Sequence, residues 1–412
     1  MNIIRRAISI FLIVAVMGGV VYIDQRQTEL SEGASRGIVS MAGFPHSIKS
    51  NRISSSWFCP GAAAGDGLDS ASVFISNPSD TAITAAVSFL SNSPMESQTV
   101  EVPARNHSVV DVLRGRTVGV IVPVVEIIGS VGTVEQQLIY AAGDVTSQCV
   151  SQTSSTWYFA DGFTAQGSSQ RLVLTNPYPE SAVVNVAYVT KEGKRSPTGL
   201  QGLILGPRTS RSLSLAEFGA TDESSIALEV EATTGQIIAS RMQHYLGGGR
   251  LGYSTTIGIP VALNEWWFAA GRTGPQVSER LVVFNPSASL AQVNVSFFGE
   301  GITNGTIIDE NASAAAPSAT VDIPAGSVLL INTDDLADLP KGEHAMVVSS
   351  IGKVPVVVEH VLSQITGGSS FTAITNGVPA ALATQEWRIP SGLSNGARNA
   401  LSLVNTTAQD GT

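Results

Sequence analysis

The sequence predicts an all-β protein: tandem immunoglobulin-like antiparallel β-sandwiches after one N-terminal transmembrane helix. Three observations carry this. A motif recurs four times at a nearly constant offset, apolar residues alternate with period two between Gly, Pro and Asn, and one apolar run opens the chain.

That run is the first element. Ala7 to Ile23 is uncharged and apolar over 17 residues, at the lower limit for a helix that crosses a bilayer. Arg5 and Arg6 precede it, so the positive-inside rule places Met1 in the cytoplasm and the chain after Asp24 outside. A cleaved signal peptide shares the basic start but ends in small residues. Bulky Val21, Tyr22 and Ile23 close this run, which favours an uncleaved signal anchor over 1–24. Secretion after cleavage is the alternative. Residues 25–52 are polar and read as a linker, and the expected location is the plasma membrane, single pass, with the bulk extracytoplasmic.

The repeat comes next. "SSSWFCPG", "SSTWYFADG", "NEWWFAAG" and "TQEWRIPSG" align on Trp57, Trp157, Trp267 and Trp387, which are 100, 110 and 120 residues apart. Downstream of each Trp an apolar run ends in Asn, at Asn77, Asn176, Asn285 and Asn405. Alternating segments such as "AVVNVAYVT" and "AQVNVSFFG" then follow, with closing pairs of the type "HAMVVSSIGKVPVVVEHVL". About seven short strands per roughly 100 residues match an immunoglobulin-like sandwich, whereas propeller blades run nearer 40–50 residues. The expected division is 53–152, 153–262 and 263–382 for three sandwiches and 383–412 for a partial fourth unit. Two strands alone bury no core; truncation of a longer protein, or docking of this hairpin on the third sandwich, would account for that unit, and truncation is favoured.

Cys59 and Cys149, in an oxidising compartment, are expected to form one disulfide tying the first and last strands of the first sandwich. Two buried free thiols are the alternative. A loop of this size is worth on the order of 4 kcal/mol by loop entropy.

The "W-[FY]-x-x-x-G … L-x-[LVF]-x-N-P" units behind an N-terminal anchor, opened by "WFCPG", resemble a family of secreted, membrane-anchored actinobacterial proteins of unknown function. The resemblance spans about 53–412. It implies an extracytoplasmic location and supplies no catalytic residues. The fourth unit departs from it, with Arg388 in place of an aromatic and Asn405-Thr406 in place of Asn-Pro.

Composition excludes some roles. The chain has 23 basic and 33 acidic residues, a net charge of −10, so nucleic acid is not an expected partner. Charged residues make up 14% of the chain, against about 25% in typical soluble domains. No G-x-S-x-G elbow, phosphate loop or H-x-x-x-H spacing occurs. No catalytic residue, metal site or cofactor is expected. His244 and His360 take equivalent places in "RMQHY" and "VVEHV" and read as polar residues near a strand end. Asp334-Asp335 and Asp222-Glu223 read as solvated loop acids, and the Asn-Pro pairs as turns.

Alternation on a strand puts Trp157 and Phe159 on one face and Tyr158 on the other. Trp57, Trp157, Trp267 and Trp387 are therefore expected as core anchors, since aromatics dominate small cores. Tyr158 and the unmatched Trp266 are the candidate ligand contacts. The expected function is non-catalytic: a cell-envelope scaffold or adhesion module for protein or wall polymer, held to the membrane by its first helix. A glycan-binding protein with exposed aromatics is the alternative, and an envelope enzyme with an unrecognised site comes third.

Overall fold

In a computed structural model of the chain, residues 54–382 are described apart from 66, 94–96, 129–131, 300–301, 304–305, 308–317, 337–338, 340–341 and 366–369. Beyond 382, only 387 and 400–406 are described. The anchor expected over 1–24, with Ala7 and Ile23, and the linker over 25–52 lie outside the described residues. Among those described, no helix is long and apolar enough to cross a membrane.

The strands fall into three sets. The first holds β1 (Ser54–Phe58), β2 (Ala62–Ala64), β3 (Leu68–Asn77), β4 (Ile83–Leu90), β5 (Gln98–Val102), β6 (Asn106–Asp111), β7 (Gly119–Ile128), β8 (Thr133–Tyr140) and β9 (Gly143–Gln148). Its two sheets run β1-β7-β4-β5, with β2 on β7, and β6-β3-β8-β9. The second holds β10 (Thr156–Phe159), β11 (Ser169–Asn176), β12 (Ala182–Thr190), β13 (Gly193–Arg195), β14 (Leu203–Leu205), β15 (Thr209–Ser214), β16 (Ala227–Thr234), β17 (Ile238–Gly247) and β18 (Arg250–Ile257). Its sheets run β10-β16-β12-β13, with β14 on β12, and β15-β11-β17-β18.

The third set holds β19 (Glu265–Thr273), β20 (Val277–Asn285), β21 (Ala291–Phe298), β22 (Ile302–Thr303), β23 (Thr306–Ile307), β24 (Ser318–Ile323), β25 (Ser327–Asn332), β26 (Gly342–Ser350), β27 (Val357–Gln364) and β28 (Phe371–Asn376). Its sheets run β19-β26-β21-β24 and β25-β20-β27-β28, with β22-β23 a separate pair. The pairings are antiparallel throughout. The strand order repeats, so β1, β10 and β19 are equivalent, as are β8, β17 and β27.

Period-two patterning makes each unit's core. In β12, Ala182, Val184, Val186 and Tyr188 are buried while the residues between are half-buried. This inward set meets Trp157 and, from the other sheet, Leu172 and Leu174 in one apolar cluster.

Register corrects the alignment of the tryptophans. Trp57 faces Val125, Trp157 faces Val230 and Trp266 faces Val348. The third counterpart is thus Trp266, expected as a ligand contact and in fact fully buried, its Nε1 donating to the Val356 carbonyl at 2.8 Å. Trp157 Nε1 likewise donates to the Ile237 carbonyl at 3.0 Å. Trp267, expected as a core anchor, points the other way; it is half-buried and stacks on Phe298 at 5.5 Å. In a Trp-Trp doublet a shift of one residue exchanges the faces. Trp387, also expected in a core, is 58% exposed.

The repeated Asn is more than a turn residue. Asn77 Nδ2 donates to the carbonyls of Thr81, Val102 and Pro103 at 2.8, 3.1 and 3.0 Å. Asn176 does the same to Glu180, Leu205 and Gly206, and Asn285 to Ser289, Ile323 and Pro324. Each Oδ1 accepts a backbone N–H two residues on, from Ser79, Tyr178 or Ser287. This buried amide clasps the end of a strand in one sheet to the end of a strand in the other. Beside it, Arg105 and Arg208 sit at φ 50° and Gly326 at φ 61° in the same turn, each donating its N–H to the carbonyl of Ser79, Tyr178 or Ser287.

One position shows two chemical solutions. Cys59 and Cys149 form a disulfide with Cα atoms 4.2 Å apart. Isolated bridges pair Phe58 with Val150, Tyr158 with Ile259 and Trp267 with Val378, so Phe159 and Phe268 replace Cys59 while Gly258 and Gly377 replace Cys149. The glycines leave room for the rings. A β-carbon on Gly258 would lie 2.8 Å from Phe159 Cζ, and one on Gly377 2.7 Å from Phe268 Cζ.

Candidate functional site: the junctions between units

The most concentrated polar chemistry lies where the second unit meets the third. The loop after β10 carries Asp161, fully buried. Arg250 Nη1 reaches both its oxygens at 2.9 and 3.0 Å, and the Tyr245 hydroxyl donates to Oδ2 at 3.1 Å. From β27 of the third unit, Glu359 Oε2 accepts the Asp161 N–H at 2.6 Å. Arg241 of β17 closes the network: its guanidinium donates to Glu359 at 3.0 and 3.1 Å and to the Asp161 carbonyl. Arg241 also lies over the Phe159 ring and Arg250 over the Phe163 ring, at 5.2 and 5.1 Å.

The electrostatics follow from this geometry. Burial alone would raise the Asp161 carboxyl, but the Arg250 and Arg241 guanidiniums hold it below the usual carboxylate range. Burial pushes the Glu359 carboxyl upward, with Arg241 opposing. The Tyr245 hydroxyl is driven well above its ordinary value by burial and by Asp161. It therefore stays a hydrogen-bond donor.

A second cluster lies inside the third unit. His344 Nε2 and His360 Nε2 each lie 2.8 Å from one oxygen of buried Glu279, and the Arg272 N–H donates to it at 2.9 Å. Against the upward push of burial, these histidines lower Glu279 to about 2. Register also corrects the histidine equivalence. His360 faces Leu281 as Arg241 faces Leu172 and Gln136 faces Val73, so His360 corresponds to Arg241 and Gln136 rather than to His244. Among the described residues no group of three or more His, Cys, Asp or Glu is placed to hold a metal ion.

The junction of the first and second units is built differently. Gly61 stands where Asp161 does, and its backbone N–H and carbonyl are bound by the Gln136 side chain. From the second unit, Ser240 donates to the Pro60 carbonyl at 2.6 Å, and Ser210 to the carbonyls of Leu90 and Ser91. Between the units lies a solvent-open cavity of about 370 Å³. Tyr140, Tyr253 and His244 line it as a three-ring stack, with centroids 3.7 and 4.0 Å apart and ring planes within 14°. Ser169, Arg171 and Ser254 are among its polar lining.

Of the ligand contacts expected from sequence, neither reaches this cavity. Trp266 is core, and Tyr158 is half-buried at the second junction, 6.3 Å from the Phe284 ring. Asp161, Arg241, Arg250 and Glu359 were not among the site residues expected from the sequence. Their one visible trace is long polar residues within strands that otherwise read as core.

Residues 128–249 match a family described as "Family of unknown function (DUF5719)". No curated protein matches the chain. Among solved structures, one titled "Crystal Structure of Thermotoga maritima 1070" is 16% identical, with a TM-score of 0.24, covering 28% of this chain and 94% of that one. A Streptomyces avermitilis alpha-L-rhamnosidase complexed with L-rhamnose is 12% identical, with a TM-score of 0.18, covering 82% of this chain and 45% of that one. Likenesses this weak carry no argument about function.

Proposed function

We propose that the chain is a non-catalytic, extracytoplasmic cell-envelope scaffold or adhesion module. In this reading its repeats are immunoglobulin-like sandwiches, with units at 53–152, 153–262 and 263–382, and it is held at the plasma membrane by 1–24. The observation that supports it is the packing and hydrogen bonding across both junctions. Buried apolar residues run from the first unit into the second and from the second into the third, and hydrogen bonds cross each seam. Loosely strung domains have smaller, more polar interfaces and move independently; a spacer that presents its sides to a partner needs them fixed. Capture with the full-length chain from solubilised envelope, alongside solution scattering, tests this. A rigid particle that enriches a discrete protein or wall polymer supports it. Freely rotating units, or turnover of an envelope substrate by the purified chain, would overturn it. The stacked rings of the first junction favour a second reading, glycan binding.

A further inference from the structure

The two junctions are built from equivalent positions, and their difference carries the inference. Ala62 pairs with Ile121 in the first unit, and the Gly162 carbonyl accepts from Ile226 in the second. The equivalent chain positions 61–63 and 161–163 therefore read Gly-Ala-Ala and Asp-Gly-Phe. Near the chain reversal that closes each unit's long hairpin, Tyr140 and Tyr245 are equivalent. At the second junction Phe163 fills the space beside Tyr245, with ring centroids 6.2 Å apart and Arg250 over both rings. At the first junction Ala63 leaves that space open beside Tyr140, and the cavity results.

The opening is furnished rather than merely empty. Tyr253 and His244 are cross-strand partners in β18 and β17, and they extend Tyr140 into a ladder of parallel rings. The positions that correspond to them in the third unit, Thr372 and Ser363, carry hydroxyls bonded to each other, and Thr372 also accepts the Leu251 N–H. Gly67, at φ +79°, passes so close that a β-carbon there would lie 3.2 Å from the Tyr253 hydroxyl. Ligand pockets favour domain boundaries, begin at about 300 Å³ and combine aromatic walls with a few polar groups.

We propose that this hollow junction is a saccharide-binding site, in which a sugar ring packs on the His244 end of the Tyr140–Tyr253–His244 stack and its hydroxyls meet Ser169, Arg171 and Ser254. The chemistry suits a sugar. One face of a pyranose is C–H and packs on an aromatic ring, and its rim needs hydroxyl and guanidinium partners. The net charge of −10 disfavours a polyanionic ligand. The proposal rests on the glycan-binding reading above and names its site.

Ala63→Phe copies the second junction into the first and tests it, because it fills the space beside Tyr140 while leaving all three stacked side chains in place. The full chain and this variant are titrated calorimetrically with β-1,4-linked N-acetylglucosamine hexasaccharide and, separately, with mannohexaose. The wild type is expected to bind at least one saturably, and Ala63→Phe to lose at least about tenfold in affinity (roughly 1.4 kcal/mol). Tyr253→Ala, with its unfolding midpoint measured alongside, should lose as much and serves if Ala63→Phe does not fold. Binding that survives filling of the cavity places the sugar elsewhere and overturns the site while leaving the glycan reading standing. Binding of neither probe by the wild type overturns both.

Discussion

At the scale of the residue, the Trp266-Trp267 doublet isolates what burial contributes. Both rings have the same size and sit side by side, yet only Trp266 is enclosed. Trp266→Ala should cost about 3–5 kcal/mol by denaturant unfolding, and Trp267→Ala clearly less; equal losses would contradict the register. Glu279 adds a pH signature. Its folded-state value of about 2 lies below its ordinary 4.5, so its stabilisation is full above pH 4.5 and is lost as pH falls toward 2. Glu279→Gln should flatten the acid limb of a stability-against-pH curve, and an unchanged limb would show that the two histidines do not hold it ionised. The tryptophans were legible as core because they recur. Their faces in the doublet were not, since alternation is symmetric under a one-residue shift and only the partner strand breaks the tie. Nor was the clasp: Asn before Pro has a sufficient local explanation as a turn, and its three carbonyl partners come from chain up to 39 residues away.

At the scale of the element, the interchange of Cys59–Cys149 with Phe159 over Gly258 and Phe268 over Gly377 makes opposite demands on neighbouring units. The double variant Cys59→Ala, Cys149→Ala should lower stability on the order of 4 kcal/mol, and mild reduction should affect protease resistance only around 54–150. Gly258→Ala, in contrast, forces a methyl into the Phe159 ring and should cost about 1–3 kcal/mol, with no response to reductant. A reductant-sensitive second unit would contradict this division. The strands were well marked by alternation and Asn-Pro punctuation, which report on local burial. The exchange of a disulfide for a ring on a glycine was not readable. A glycine in a strand looks like a weakness unless the ring above it is known.

At the scale of the whole molecule, the junctions decide whether three similar units act as one body. Arg241→Met should leave Glu359 buried without its partner and cost about 3–5 kcal/mol, while Arg241→Met with Glu359→Leu should recover most of it. A double-mutant cycle by equilibrium unfolding measures this, and additive losses would show that the pair is not coupled. None of these contacts was legible, because they join residues 118 and 198 positions apart and no local pattern reports on such a distance. What each unit presents across its seam is also private. Ser240 and Glu359 occupy the same place on their strands, yet one supplies a hydroxyl to a carbonyl and the other a carboxylate to an amide and a guanidinium. Shuffling the units would set the Glu359 carboxyl against the Pro60 carbonyl without the Arg241 guanidinium that holds its charge. The seams thus act as an address, and the order of three similarly folded parts is written in them.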